Sequence, residues 1–220
     1  MGEIELETAN NFDFGIKYKI GGISLNPNTF VSLVKNKQAR IYDPTYDVAY
    51  PYNGADALAY GAEIAASGTL SKQLDFLVGL SYNKYYFTED LKTASNTSIS
   101  SSGKQVPDAP KYMAKAALTY QIAGFALTPS VKYLSARYGD VLNNERIDAS
   151  TIVDFDISYE MRKVPGTKYV EFRITATNLF DQKYISAINT ADDALAATNT
   201  AATYQTGAPL GVYGNVNLMF

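Results

Sequence analysis

The chain has 220 residues, a net charge of −3 from 19 Lys and Arg against 22 Asp and Glu, and 18 Tyr and 10 Phe without a single Trp. The absence of Cys excludes disulfides, thiolate nucleophiles and cysteine metal sites, and the absence of His excludes Ser-His-Asp chemistry and imidazole–metal sites. The mild acidity and the lack of a dense Lys/Arg block argue against a nucleic-acid partner, and no apolar run approaches the roughly 18 residues of a transmembrane helix.

The first six residues, Met1 to Leu6, lack the basic start and apolar core of a secretory signal, so no export address is expected there. From Asn11 the pattern has period two: Phe12, Phe14, Ile16, Tyr18 and Ile20 alternate with Asn11, Asp13, Gly15, Lys17 and Lys19. A strand sorts those charges onto one face, whereas a helix scatters them. Gly21-Gly22 marks a turn into a second strand with Leu25, Thr29, Val31 and Leu33 on one face and Asn26, Asn28, Ser32 and Asn36 on the other. The stretch from Tyr42 to Asn53 breaks the alternation and reads as a long link.

Leu58, Tyr60, Ala62 and Ile64 restart the pattern, and a short link from Thr69 to Gln73 leads to Phe76, Val78, Leu80 and Tyr82. A long Ser/Thr-rich link, Glu89 to Asp108, precedes Tyr112, Ala114, Ala116, Leu118 and Tyr120. At about 3.3 Å per residue and a tilt near ~40°, the two tyrosines of that strand lie roughly 20 Å apart along a membrane normal, close to the spacing of two aromatic girdles. Ala123-Gly124 turns the chain into Phe125, Leu127, Val131 and Tyr133, where Pro129 removes a ladder donor and either demands a bulge or weakens the strand assignment. After a loop around Asp140 to Asp148 come Val153, Phe155, Ile157, Tyr159 and Met161, then a Pro165-Gly166 turn, then Val170, Phe172, Ile174 and Ala176. An Ala/Thr/Asn-rich link, Ser186 to Thr206, leads to a closing strand in which Leu210, Val212, Gly214, Val216, Leu218 and Phe220 share one face.

Short links fall near Gly21, Leu70, Ala123 and Pro165, and long ones near Pro44, Ser98, Asn144 and Asp193. Such alternation, with an apolar face on nearly every strand and a polar face behind it, predicts an all-β, antiparallel, up-and-down transmembrane β-barrel segment of about nine strands. A soluble all-β domain with one buried face is the competing reading of the same pattern, but it has no reason to keep its short turns at one end.

Particular motifs point to a family. The run Ala176-Thr177-Asn178-Leu179-Phe180-Asp181-Gln182-Lys183-Tyr184 resembles the N-L-F-D-x-x-Y motif of TonB-dependent outer-membrane receptors. Asn11 to Lys17 resembles their N-x-E-x-G-x-K strand, with Asp13 for the usual Glu; Gly61-Ala62-Glu63 is similar to their G-x-E; and Pro107-Asp108-Ala109-Pro110 to their P-x-x-P. Arg137-Tyr138-Gly139-Asp140 is similar to a loop of many members, and Gly207-Ala208-Pro209 precedes the last strand as in the family, although Leu210 stands where Arg is commonest. A last strand ending on Phe220 resembles the signal read by the barrel-assembly machinery.

The resemblance implies a barrel of about 22 strands around an N-terminal plug. Residues 1–220 would be the C-terminal part of such a barrel, without the plug or the TonB-binding segment. The implied function is uptake, across the outer membrane of a Gram-negative bacterium, of a scarce ligand, most often a ferric siderophore, powered by the TonB complex through the missing plug. The partners implied are outer-membrane lipid, the assembly machinery, TonB and the ligand. Neither a cofactor nor a resident metal is expected. Ligand-contact candidates lie in the long links: Tyr46, Tyr50, Tyr52, Lys92, Lys104, Arg137, Tyr138, Asn143, Asn144 and Arg146. Asn178, Leu179, Phe180, Asp181, Tyr184 and Phe220 read as architectural, with Asn178 a turn former and Phe180 a lipid-facing aromatic. A passive porin or small structural barrel is the alternative, with Lys111, Lys115, Lys132, Asp154, Asp156, Glu160, Glu171 and Arg173 lining its lumen. An outer-membrane enzyme fits less well, since hydrolases of that kind generally use His.

Overall fold

The structure is a computed structural model that describes residues 4–43, 48–92, 98–162, 164–189 and 202–220; for 39–43, 48–52 and 92 it describes the backbone alone. Every regular element among them is a strand: β1 Thr8–Gly15, β2 Tyr18–Ile20, β3 Ile23–Asp43, β4 Val48–Ser71, β5 Leu74–Phe87, β6 Leu91–Lys92, β7 Ser98–Ile99, β8 Tyr112–Ile122, β9 Phe125–Leu134, β10 Arg137–Tyr138, β11 Arg146–Ile147, β12 Ser150–Arg162, β13 Tyr169–Thr177, β14 Ile185–Asn189, β15 Thr203–Thr206 and β16 Gly211–Met219. One antiparallel sheet runs β1-β3-β4-β5-β8-β9-β12-β13-β16, with β2 also paired to β3. It has nine staves in chain order, as the periodicity predicts, and it is open: β1 and β16 are its edges. Three two-stranded ribbons, β6–β7, β10–β11 and β14–β15, stand on the long links.

The register carries the sequence alternation across the sheet. Tyr18, Leu25, Ala66, Val78, Ala116, Val131 and Val153 form one transverse row of direct partners on the apolar face. Near the short-link end Ile122, Phe125, Tyr159, Phe172 and Val216 form another. Tyr82 and Tyr112 pair near the long-link end, so the apolar face carries an aromatic band at each end, with Tyr112 and Tyr120 of β8 marking the two. Among the described residues eight hydrophobic side chains are buried, whereas 33 large ones are exposed, Phe12, Leu80, Leu118, Phe172 and Val212 among them. A surface that apolar requires cover, and the opposite face is polar, so the covered face is this one.

The buried cluster lies at the long-link end, where Val34, Ala55 and Ala57 meet Phe87, Leu91, Val106 and Val141. These side chains seat the links on the rim of the sheet.

Three expectations need correcting. Asn11 to Ile20 does not run as one strand: β1 and β2 keep the same register on β3 but pairing lapses opposite Pro27, which has no N–H to give, although Ile16 N still donates to the Pro27 carbonyl at 3.0 Å. Pro129 makes no bulge. The β8–β9 register is unchanged on either side of it, and only the two pairs at Leu118 and Thr119 are skipped; there Thr119 and Thr128 hydroxyls bond to each other at 3.0 Å.

The largest difference concerns the first long link. β3 continues to Asp43 and β4 begins at Val48, so Tyr50 and Tyr52 lie on paired strand backbone and not in a loop. A bulge explains why the sequence hides this. The register shifts at Lys37, next to Asn36 at φ 54°, whose N–H donates to Asp56 Oδ1 at 3.0 Å. A second shift between Lys37 and Gln38 restores the earlier register, so pairing continues from Gln38–Asn53 onward while the two irregularities interrupt the strict alternation.

Candidate ligand face at the long-link end

The ten ligand-contact candidates fall into three groups. Tyr46 lies outside the described residues, and the side chains of Tyr50, Tyr52 and Lys92 do as well. Lys104, Asn144 and Arg146 are exposed, the last paired with Asp148 at 2.8 Å. Arg137, Tyr138 and Asn143 are drawn inward and hold the links together.

Arg137 is 2% exposed. Its Nε sits 2.6 Å from Asp108 Oδ1, off the N–H line and so an ion pair rather than a hydrogen bond, and its Nη2 donates to the Ile185 carbonyl at 3.0 Å. Asp108 N donates to the Tyr138 carbonyl at 2.9 Å. Asn143, at φ 59°, accepts from Gln105 N at 2.7 Å and donates to the Gln105 carbonyl at 2.8 Å. Buried Asp140 accepts the Glu145 N–H at 3.0 Å. These contacts bind the link before β8, the β10–β11 ribbon and the start of β14 into one knot. Arg137→Ala is expected to leave the Ile185 carbonyl without its donor and to cost about 1–3 kcal/mol, with Asp108 free to rehydrate. Faster proteolytic cutting within 137–147 and 185–206, with the rest of the sheet unchanged, would be the signature.

Tyr204 of β15 hydrogen-bonds Glu145, which ties the last ribbon to the same knot. Burial, and then the bond to Glu145, push the phenol up to about 12. A raised acid favours the folded state below its ordinary value near 10, and that advantage is lost as pH rises through about 12. Comparison of the wild-type and Tyr204→Phe chains by tyrosinate absorbance is therefore expected to show one late-titrating phenol missing from the variant.

Two clefts flank this knot. One of about 470 Å³ is lined by Arg146, Asp148, Lys183, Tyr184 and Tyr204. The other, about 420 Å³, opens on the polar face of the sheet beside Lys132, Asp154, Asn178, Tyr184 and Ser186. Two cations and two phenols around the first, and a Lys132–Asp154 pair at 3.2 Å in the second, suit a polar ligand with ring or chelate groups. Lys183 and Tyr204 are absent from the sequence-based candidates. Tyr204 reaches the site only through the β14–β15 pairing, for which the Ala/Thr-rich link carries no alternation.

The wall between the clefts is built by the Asn178 turn. Asn178 is buried at φ 50°; its Nδ2 donates to the Gln182 and Ala208 carbonyls and its Oδ1 accepts Gln182 N, each at 2.9 Å. Its backbone N–H goes to Asp154 Oδ1 at 2.9 Å, and Asp181 Oδ1 accepts Leu210 N at 2.9 Å. Tyr184 lies over Gly207, where an added Cβ would come within 2.0 Å of the ring. Leu179, Phe180 and Phe220 are exposed.

An antiparallel up-and-down sheet with one apolar face, two aromatic bands and short links at one end defines an outer-membrane β-barrel wall. The family model described as "TonB dependent receptor-like, beta-barrel" matches residues 2–179, and the chain belongs to that family, in the outer membrane of a Gram-negative bacterium. Among curated relatives it is 26% identical over 143 residues to the ferrichrome outer membrane transporter/phage receptor of Escherichia coli (63% of this chain, 18% of that protein). It is 21% identical over 192 residues to the ferrioxamine B receptor of Salmonella typhimurium (84% and 26%). Among solved structures it is similar to the siderophore receptor PiuA of Acinetobacter baumannii, with a TM-score of 0.73 and 21% identity over 96% of this chain and 28% of that one. The chain thus spans about a quarter or less of the curated relatives it matches, and these are receptors and transporters, not enzymes.

Proposed function

We propose that residues 1–220 form the C-terminal, nine-stave part of a receptor barrel that takes up a ferric siderophore with energy from the TonB complex. The single observation that carries this is the family match to relatives named for ferrichrome and ferrioxamine B, over a sheet whose links gather into two clefts at one end. In this reading the plug and the TonB-contacting segment belong to the remainder of the receptor, and the apolar face meets outer-membrane lipid. The assembly machinery reads the strand ending at Phe220.

Ligand meets the long-link end, where exposed Lys104, Asn144, Arg146 and Lys183 offer donors to the oxygens of a chelate. The buried Arg137 and the half-buried Asn143 act there by holding the links in place. Radio-iron uptake by cells producing the complete receptor, with and without TonB, tests the proposal. Saturable uptake of a ferric hydroxamate that stops without TonB is expected; uptake that is linear in concentration and independent of TonB would instead mean a passive pore.

A further inference from the structure

Two ammonium groups near the long-link end of the sheet have no carboxylate partner among the described residues. Lys84 of β5 holds its Nζ 4.8 Å from the centre of the Tyr86 ring and 5.7 Å from that of Tyr60. Lys111, just before β8, holds its Nζ 5.8 Å from the Tyr82 ring and 5.6 Å from that of Tyr112. The rings pair as well, Tyr60 with Tyr86 edge-on at 6.3 Å and Tyr82 with Tyr112 tilted at 5.4 Å.

Register places these side chains together. Tyr82, Lys84 and Tyr86 alternate along the apolar face of β5, Tyr60 of β4 stands opposite Lys84, and Tyr112 opposite Tyr82. The patch is the upper aromatic band of that face, with two positive charges set into it.

A ring quadrupole attracts an ammonium group without cancelling its charge. The ion pairs of the described residues lie elsewhere, on the polar face as with Lys132–Asp154 and Arg173–Asp156, at the short-link end, or in the links. The patch therefore presents unneutralised positive charge at the boundary of the apolar band, where an anion is screened less than in water. The four phenol hydroxyls make no hydrogen bond within the described protein, so each has a proton to offer an anionic oxygen.

We propose that this patch binds the phosphate of an outer-leaflet lipid headgroup, with Lys84 and Lys111 supplying charge and the tyrosines supplying hydroxyls and ring contacts. The inference rests on reading the apolar face as lipid-facing. Phosphate is favoured over a protein carboxylate because the patch sits where headgroups begin and is bordered by an apolar face that lipid chains would cover.

The test uses the full chain in detergent, with native mass spectrometry against bisphosphorylated lipid A and the same lipid stripped of its phosphates. Wild-type chain is expected to retain the phosphorylated form on the order of tenfold better, a preference lost in K84Q/K111Q and kept in K84R/K111R and in the polar-face variant K115Q. Equal retention of both lipids by the wild type, or an undiminished preference in K84Q/K111Q, overturns the site. Displacement of the lipid by an equal concentration of inorganic phosphate overturns the choice of a lipid source. A separate outcome tests the underlying reading: if the chain stays in the aqueous phase when detergent separates, the lipid-facing assignment fails and this site fails with it. Partition into detergent without a phosphate preference sinks the site alone.

Discussion

Leu80→Arg is expected to destabilise the sheet in a lipid bilayer by about 2–4 kcal/mol, a penalty seen when a cation is forced onto the lipid face of a β-barrel at mid-depth. Leu80 is half exposed, directly opposite Ile64 and Ala114, and lies midway along β5 between the two aromatic bands. Its neighbour Ser81 points to the other face, where its hydroxyl donates to Glu63 Oε1 at 3.3 Å. Ser81→Arg puts the same charge one residue away, beside a carboxylate, and should change stability by about 0.5 kcal/mol or less. Denaturant titration in phospholipid vesicles measures both. If the two substitutions cost the same, the apolar face is not in lipid. A soluble domain would tolerate arginine at an exposed Leu80 about as well as at Ser81, so the contrast between the two variants separates the readings.

Asn178→Ala is the second substitution with a large expected effect. It removes three side-chain hydrogen bonds at one buried point, strands the Gln182 N–H and the Ala208 carbonyl, and leaves alanine at φ 50°. Together these should cost about 2–4 kcal/mol. Asn178→Gly tolerates the backbone angle while losing the same bonds, and should lie between wild type and Ala. Asp181→Ala also leaves alanine at φ 50°, but it removes one hydrogen bond, the acceptor for Leu210 N, rather than three, and should be milder. Heat-dependent gel mobility ranks the three, and amide exchange at 182–186 and 208–212 reports where the loosening falls. Equal behaviour of Ala and Gly would mean that the turn angle carries no strain.

What could be read from the sequence follows the solvent. Between the aromatic bands one face meets an apolar medium and the other a polar one, so every strand there is stamped with period two, and all nine staves are visible. Beyond the bands both faces meet the same surroundings. The outer halves of β3 and β4, paired from Gln38–Asn53 to Asp43–Val48, lose their signature after the bulge, and Tyr50 and Tyr52 read as loop residues.

The long links were legible in the sequence, but the structural duties of their residues were not. An arginine in a long link reads as a solvated contact, and only the fold shows that Asp108 and the Ile185 carbonyl enclose Arg137. Asn178 reads as a turn former from its residue type alone. That its amide would reach Ala208 depends on how the chain returns after a link with no pattern of its own. Lys84 and Lys111 are unremarkable in the sequence, because a lysine among tyrosines becomes a patch only when two strands are set in register.

The open sheet carries a rule of parity. β1 descends toward the short-link end, and after eight antiparallel steps β16 descends as well. Like tiles of two colours laid alternately, an odd arc begins and ends on the same colour, so its ends can meet only in a parallel pair. Two copies in the same membrane orientation meet the same obstacle, since every free edge they bring descends. Any partner that completes an antiparallel ring must itself bring an odd number of staves, ascending at both edges.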